Sequence, residues 1–88
     1  MADSGPGAQA MIEKRKGNEQ FVKNNFAEAI THYTNALDLV VDVKGFDVKQ
    51  RSILYANRAE CLIRLKRYNE AIPSCDDALK YDGSNIKV

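Results

Sequence analysis

Apolar residues recur at helical spacing from Ala8 almost to the end of the chain, and polar or glycine-containing breaks divide that pattern into four segments. The first runs from Ala8 through "EKRKGNEQF". At 23 to 26, "KNNF" offers Asn25 as an N-cap with Glu28 three residues on, the capping-box arrangement that opens a second helix. At 43 to 50, "VKGFDVKQ" supplies Gly45 as a helix stop, then Asp47 as a cap with Gln50 in the reciprocal position. The third helix should run to about Leu65, and "KRYNEA" restarts the pattern at Tyr68. Pro73 removes a backbone donor inside the fourth helix, so a local bend in a continued helix is expected there, and "YDGSN" at 81 to 85 ends it in a glycine turn. The predicted class is all-α.

Sliding the chain by 42 positions superposes "FAEAITHYTNAL" at 26 to 37 on "YNEAIPSCDDAL" at 68 to 79, pairing Glu28 with Glu70, Ala29 with Ala71, Ile30 with Ile72, Ala36 with Ala78 and Leu37 with Leu79. The chain therefore holds a duplicated helical hairpin. One feature of the first copy resists the helical pattern: Gly17 and Asn18 sit in its interior, where a glycine costs about 1 kcal/mol relative to alanine. In the 42-residue register Gly17 falls on Ala59, so a small residue recurs at one structural position. Small residues there let the two helices of a hairpin approach closely. Phe21, Phe26, Tyr33, Tyr55 and Tyr68 read as core at helical spacing; Cys75, at the position matched by Tyr33, reads as a buried inert thiol, and Cys61 as packing.

Composition narrows the function classes. The chain has 88 residues, 44% hydrophobic and 28% charged, the make-up of one small globular domain. A chain of this size buries only about 60 to 65% of its unfolded surface, so its open faces need covering. A net charge of +1 supplies no global attraction to nucleic acid or anionic membrane, and the basic runs Lys14, Arg15, Lys16 and Arg64, Lys66, Arg67 are diluted by acidic neighbours. Neither partner is expected. Cys61 and Cys75 lack CxxC spacing and the one histidine, His32, has no partner in spacing, which argues for a reducing compartment, no metal and a surface histidine. No nucleophile-base set, paired carboxylates or phosphate loop can be assembled, so neither an enzyme nor a cofactor is expected. "MADSGPG", residues 1 to 7, has no basic and apolar signal-peptide regions and no run of 18 apolar residues follows. It reads as a flexible, cytosolic N-terminus.

Gly17, Phe26, Ala29, Tyr33 and Ala36, then Tyr55, Ala59, Leu62, Tyr68, Ala71 and Ala78, resemble the small-aromatic-alanine positions of two successive tetratricopeptide repeats, a family with a period of about 34 residues. The resemblance covers about residues 10 to 88 and implies tandem antiparallel helix hairpins in a right-handed superhelix. Repeat one would span about 10 to 43, with an extended second helix and a loop to 51 taking up the extra residues. Repeat two would span about 52 to 85, and 86 to 88 would begin a third repeat that is not completed. Gly83 stands where the family usually has a proline.

Within the family, Lys14 and Asn18 in "KRKGN", Asn57 in "YANRAEC" and Lys87 in "DGSNIKV" look like the carboxylate-clamp class of co-chaperones, including adaptors of the myosin-chaperone and mitochondrial-import-receptor kind. That likeness implies a groove lined by the first and third helices, binding the acidic C-terminal Glu-Glu-Val-Asp tail of cytosolic 90 kDa or 70 kDa heat-shock chaperones. Read from the residues alone, an ammonium beside amides is a receptor for acceptor-rich anions such as carboxylates. The third-repeat arginine of the clamp pattern is missing. Two hairpins also leave an apolar face open, which predicts self-association of the chain. The competing expectation is a structural repeat that assembles a complex through hydrophobic or convex surfaces, with the polar groove residues incidental.

Overall fold

The computed structural model describes residues 5 to 81, all of whose regular structure is helical: α1 (Pro6–Val22), α2 (Phe26–Leu39), α3 (Val48–Arg64) and α4 (Tyr68–Tyr81). Each helix packs on the next, α1 on α2, α2 on α3 and α3 on α4. Short connections at 23 to 25 and 65 to 67 fold α1 with α2 and α3 with α4 into hairpins.

The duplication is carried in the backbone as well as in the letters. α3 begins and ends 42 positions after α1, and α4 does the same relative to α2. Both hairpins turn through a residue in the left-handed region, Asn24 at φ 64° and Lys66 at φ 63°. Around each, the same two bonds close the end of the preceding helix: Asn24 N to Phe21 O and Asn25 N to Gln20 O, then Lys66 N to Ile63 O and Arg67 N to Leu62 O, all between 2.8 and 2.9 Å. These bonds satisfy carbonyls that the helix terminus would otherwise strand. Asparagine tolerates the left-handed region, whereas lysine there carries a cost of about 1 to 2 kcal/mol.

Several local expectations are corrected. α1 begins at Pro6, whose missing donor is harmless at the first helical position. Asn25 makes no side-chain cap to α2; its Nδ2 donates instead to Gln20 Oε1 at 2.9 Å, and the capping box with Glu28 does not form. Nor is α2 extended. It stops at Leu39, with Val40 as C-cap, and the extra residues form the connection 40 to 47. Gly45 lies within that connection, six residues beyond the end of the helix it was expected to stop. Asp47 does cap α3, accepting from Lys49 N at 2.8 Å, but Gln50 turns elsewhere. α4 continues through Pro73.

The connection 40 to 47 is held from inside. Arg51, on the first turn of α3 and buried, donates from Nη1 to the Val40 carbonyl at 2.8 Å and from Nη2 to the Val43 carbonyl at 2.9 Å. Its guanidinium carbon also lies 5.5 Å from the centre of the Phe46 ring. A planar fork with several donors can satisfy two carbonyls at once, which a lysine could not do in the same geometry.

The core gathers Ala10, Ala29, Tyr33, Ala36, Leu37, Val40, Leu54 and Cys61, with Phe21, Phe26 and Tyr55 packed against it. Alanines at the helix contacts allow close approach, and Gly17 takes this to its limit. A Cβ built on Gly17 would lie 2.7 Å from the Tyr33 ring, which is itself fully enclosed at 1% exposure. The second hairpin repeats the arrangement with smaller parts: Ala59 is buried, but Cys75 is exposed rather than enclosed and Tyr68 is 54% exposed. In the first hairpin α3 covers the matching positions. Among the described residues no helix covers α4 in that way.

Gly17→Ala should destabilise the chain by about 1 to 3 kcal/mol in urea unfolding, because overpacking against an immobile ring outweighs the alanine's helix preference of about 1 kcal/mol. Gly45 faces open space and has no positive φ, so Gly45→Ala in the same assay should be neutral or slightly stabilising. Lys66→Gly should raise stability by about 1 kcal/mol by relieving the left-handed lysine.

Candidate functional site

Residues seven apart on an α-helix lie on nearly one line, about 10.5 Å apart along the axis. On α1 that line is Gly7, Lys14 and Phe21; on α3 it is Gln50, Asn57 and Arg64. Two contacts join the lines. Lys14 Nζ donates to Gln50 Oε1 at 2.8 Å, and the Arg64 guanidinium lies 5.6 Å from the centre of the Phe21 ring and equally far from that of Phe26. Asn18 lies between Lys14 and Phe21 on α1, and Asn57 lies between Gln50 and Arg64 on α3. The two contacts therefore bracket both amides along a seam between α1 and α3, where Lys14 and Asn57 are half-buried and Asn18 is exposed.

Asn18 is aimed by the core. Tyr33, lying across Gly17, donates its hydroxyl to Asn18 Oδ1 at 2.5 Å. With its oxygen engaged, Asn18 retains the two donors of its amide nitrogen. The Gly-Asn pair inside a helix thus has a physical account: glycine admits the tyrosine ring, and asparagine receives its hydroxyl. Burial pushes the Tyr33 phenol up to about 12, with the neighbouring Cys61 adding to the effect, so it stays a donor throughout the ordinary pH range.

Lys14 keeps two further donors after its bond to Gln50, so the ammonium is positioned rather than consumed. Lys87 lies outside the described residues, as does Gly83. Sequence reasoning missed Gln50 as anything but a cap, and missed Tyr33 as anything but core. The seven-residue spacing of Gln50 and Asn57 is the signal that could have found the first. Nothing in the linear sequence reports the hydroxyl of the second.

His32 is corrected as well. It is half-buried, and its Nδ1 lies 2.8 Å from Glu13 Oε1, joining α2 to the face of α1 away from the seam. The hydrogen bond from His32, helped by Asn35 and by the charge of Lys16, holds the Glu13 carboxyl below its usual value against a smaller opposing effect of burial. Cys61 is enclosed as expected, and burial raises its thiol to about 11.

Comparison with known proteins places the sequence in a family. The chain is 41% identical over 75 residues to tetratricopeptide repeat protein 12 of Mus musculus, a match covering 85% of the chain and 10% of that protein. The chain is a tetratricopeptide-repeat protein. It is also 39% identical over 79 residues to the mitochondrial import receptor subunit TOM34 of Homo sapiens, covering 90% of the chain and 23% of TOM34. To stress-induced-phosphoprotein 1 of Caenorhabditis elegans it is 36% identical over 78 residues, covering 89% of the chain and 22% of that relative. The chain thus spans less than a quarter of the length of these relatives. No family model and no solved structure matches it. Among the described residues of this repeat protein, no helix is long and apolar enough to cross a membrane.

Glu13 titrates with its carboxyl lowered in the folded state, so its contribution to stability is present above about pH 4.5 and is lost as the pH falls through the folded value. Glu13→Gln should therefore flatten the acid limb of the stability curve below about pH 4.5, measured by urea midpoints at successive pH values.

Proposed function

We propose that the chain is a non-catalytic adaptor module that grips the acidic C-terminal tail of a cytosolic heat-shock chaperone of the 90 kDa or 70 kDa class, of the Glu-Glu-Val-Asp type. The observation that carries the reading is the seam itself: one ammonium and two amides, supplied by two separate helices and bracketed by the Lys14–Gln50 and Phe21–Arg64 contacts. Lys14 offers a point charge to a carboxylate, and Asn18 and Asn57 donate amide hydrogen bonds to the ionised chain terminus. The resemblance adds Lys87 as a second cation and a cytoplasmic setting. The proposed domain division keeps the two hairpins as repeats, with 86 to 88 opening a third.

A second reading rests on a different observation. Ala56, Ala59, Ile63, Cys75 and Ala78 line an open, mostly apolar recess between α3 and α4, and Ile72 beside it is 61% exposed. A scaffold that assembles through this face, with a second copy of the chain or with another protein, would leave the seam incidental. The two readings respond oppositely to salt. Carboxylate recognition on an exposed seam weakens as ions screen it, and an apolar interface does not.

The test is a titration of the chain with an acidic tail peptide as free acid and as amide. The free acid should bind at least about tenfold more tightly, and Lys14→Ala and Asn57→Ala should each weaken binding by about tenfold while helix content is unchanged, the scale of one lost charge-assisted bond. Tyr33→Phe should cost severalfold by releasing Asn18. Equal affinity for acid and amide would sink the reading.

A further inference from the structure

Lys14 and Gln50 meet in a way that does more than tie α1 to α3. Lys14 Nζ donates to Gln50 Oε1 at 2.8 Å, and this fixes the end of the Gln50 side chain. A carboxamide carries its oxygen and its nitrogen on one carbon, so an oxygen held by Lys14 sets the direction of Nε2 as well. Among the described residues Nε2 makes no hydrogen bond, yet it is not an enclosed, stranded donor, since Arg58 Nε is the one side-chain atom of that kind there. It is therefore open to an arriving acceptor, with both of its protons unused. Ammonium and amide stand side by side on two different helices, and each keeps two donors.

We infer that Gln50 is a further carboxylate-binding residue of the seam, donating from Nε2 to the same carboxylate of the acidic tail that Lys14 takes as an ion pair. The inference rests on the carboxylate reading and deepens it. A carboxylate has two oxygens to share, one for Nζ and one for Nε2, and an acceptor spanning two neighbouring donors is fixed in orientation as well as in position. The residue type suits the role. A glutamate there would hold Lys14 equally well, but it would cancel the charge and bring no donor; a leucine would leave the ammonium free to swing. Glutamine orients the cation, leaves its charge whole and adds two protons of its own. Because Lys14 is held before any tail arrives, less side-chain freedom is lost on binding. Placement along the helices agrees. Gln50 and Asn57 are seven apart on α3, about 10.5 Å along its axis, and Lys14 and Asn18 are four apart on α1, about 6 Å. The seam thus holds its donors at two levels, separated by about two to three residues of extended chain, which suits a tail with more than one carboxylate.

The experiment follows the side-chain NH2 signals of Gln50 by NMR in the whole chain, assigned by their loss in Gln50→Met, during titration with a heptapeptide of glycine and glutamate ending in a free-acid aspartate. The control peptide has glutamine, asparagine and a terminal amide in place of every carboxyl. Both Gln50 protons should move with the free acid, along the same saturation curve as the backbone amides of α1 and α3, and stay still with the control. Gln50→Met keeps the length of the side chain and removes its donors, and it should weaken the free acid about fivefold or more, the scale of a bond to a charged group partly open to water. Gln50→Glu should weaken it about tenfold or more and flatten its salt dependence, because the ammonium is then neutralised within the chain. Gln50 signals that stay still while the free acid saturates the chain, or unchanged affinity in either variant, overturn the inference and leave the carboxylate reading standing. Equal binding of the free acid and the control overturns the carboxylate reading and this inference with it, and failure of both peptides to bind does the same.

Discussion

The Tyr33 ring lying on the bare backbone of Gly17 sets the terms for the rest of the molecule. A glycine inside a helix is unfavourable by itself, and the enclosed ring offsets that cost by filling the space between α1 and α2. Because the ring crosses at Gly17, its hydroxyl arrives one residue further along, at Asn18. Hairpin packing and the orientation of the Asn18 amide therefore meet in one side chain. The spacing of the first hairpin and the orientation of the amide cannot be changed separately.

The second hairpin is the same design with the central pair reduced to Ala59 and Cys75, and the comparison explains what covering does. In the first copy Tyr33 and Ala36 are enclosed because α3 lies over them; in the second, Cys75 remains exposed beside Ile63 and the recess between α3 and α4 stays open. Identical backbone turns at Asn24 and Lys66 place the helices alike in both copies. The difference lies in what packs next to them, as expected for repeats whose stability is shared between neighbours.

Helix number, hairpin pairing and the 42-residue repeat were legible in the text because they depend on periodicity and on residues near in sequence. The failures share a cause. Asn25 and Gln50 had sound local capping arguments, yet Asn25 bonds Gln20 and Gln50 bonds Lys14, since a side-chain amide takes whichever partner the tertiary arrangement brings closest. His32 read as solitary because Glu13, its partner, sits on another helix. Cys75 and Tyr68 read as buried because residue type says what a position prefers and nothing of whether a neighbour is there to cover it. In the candidate site, Lys14, Asn18 and Asn57 could be named from the letters, while Tyr33 aiming Asn18 and Gln50 receiving Lys14 required coordinates.

Arg51 holds the connection 40 to 47 through main-chain oxygens of Val40 and Val43, and the shape of that segment is therefore written in atoms that every amino acid possesses. Val41, Asp42 and Lys44 are exposed there and contribute none of those bonds. Such a loop can drift freely in spelling while keeping its contour, so that evolution could retune its outward surface one letter at a time, provided the single arginine beneath is left alone.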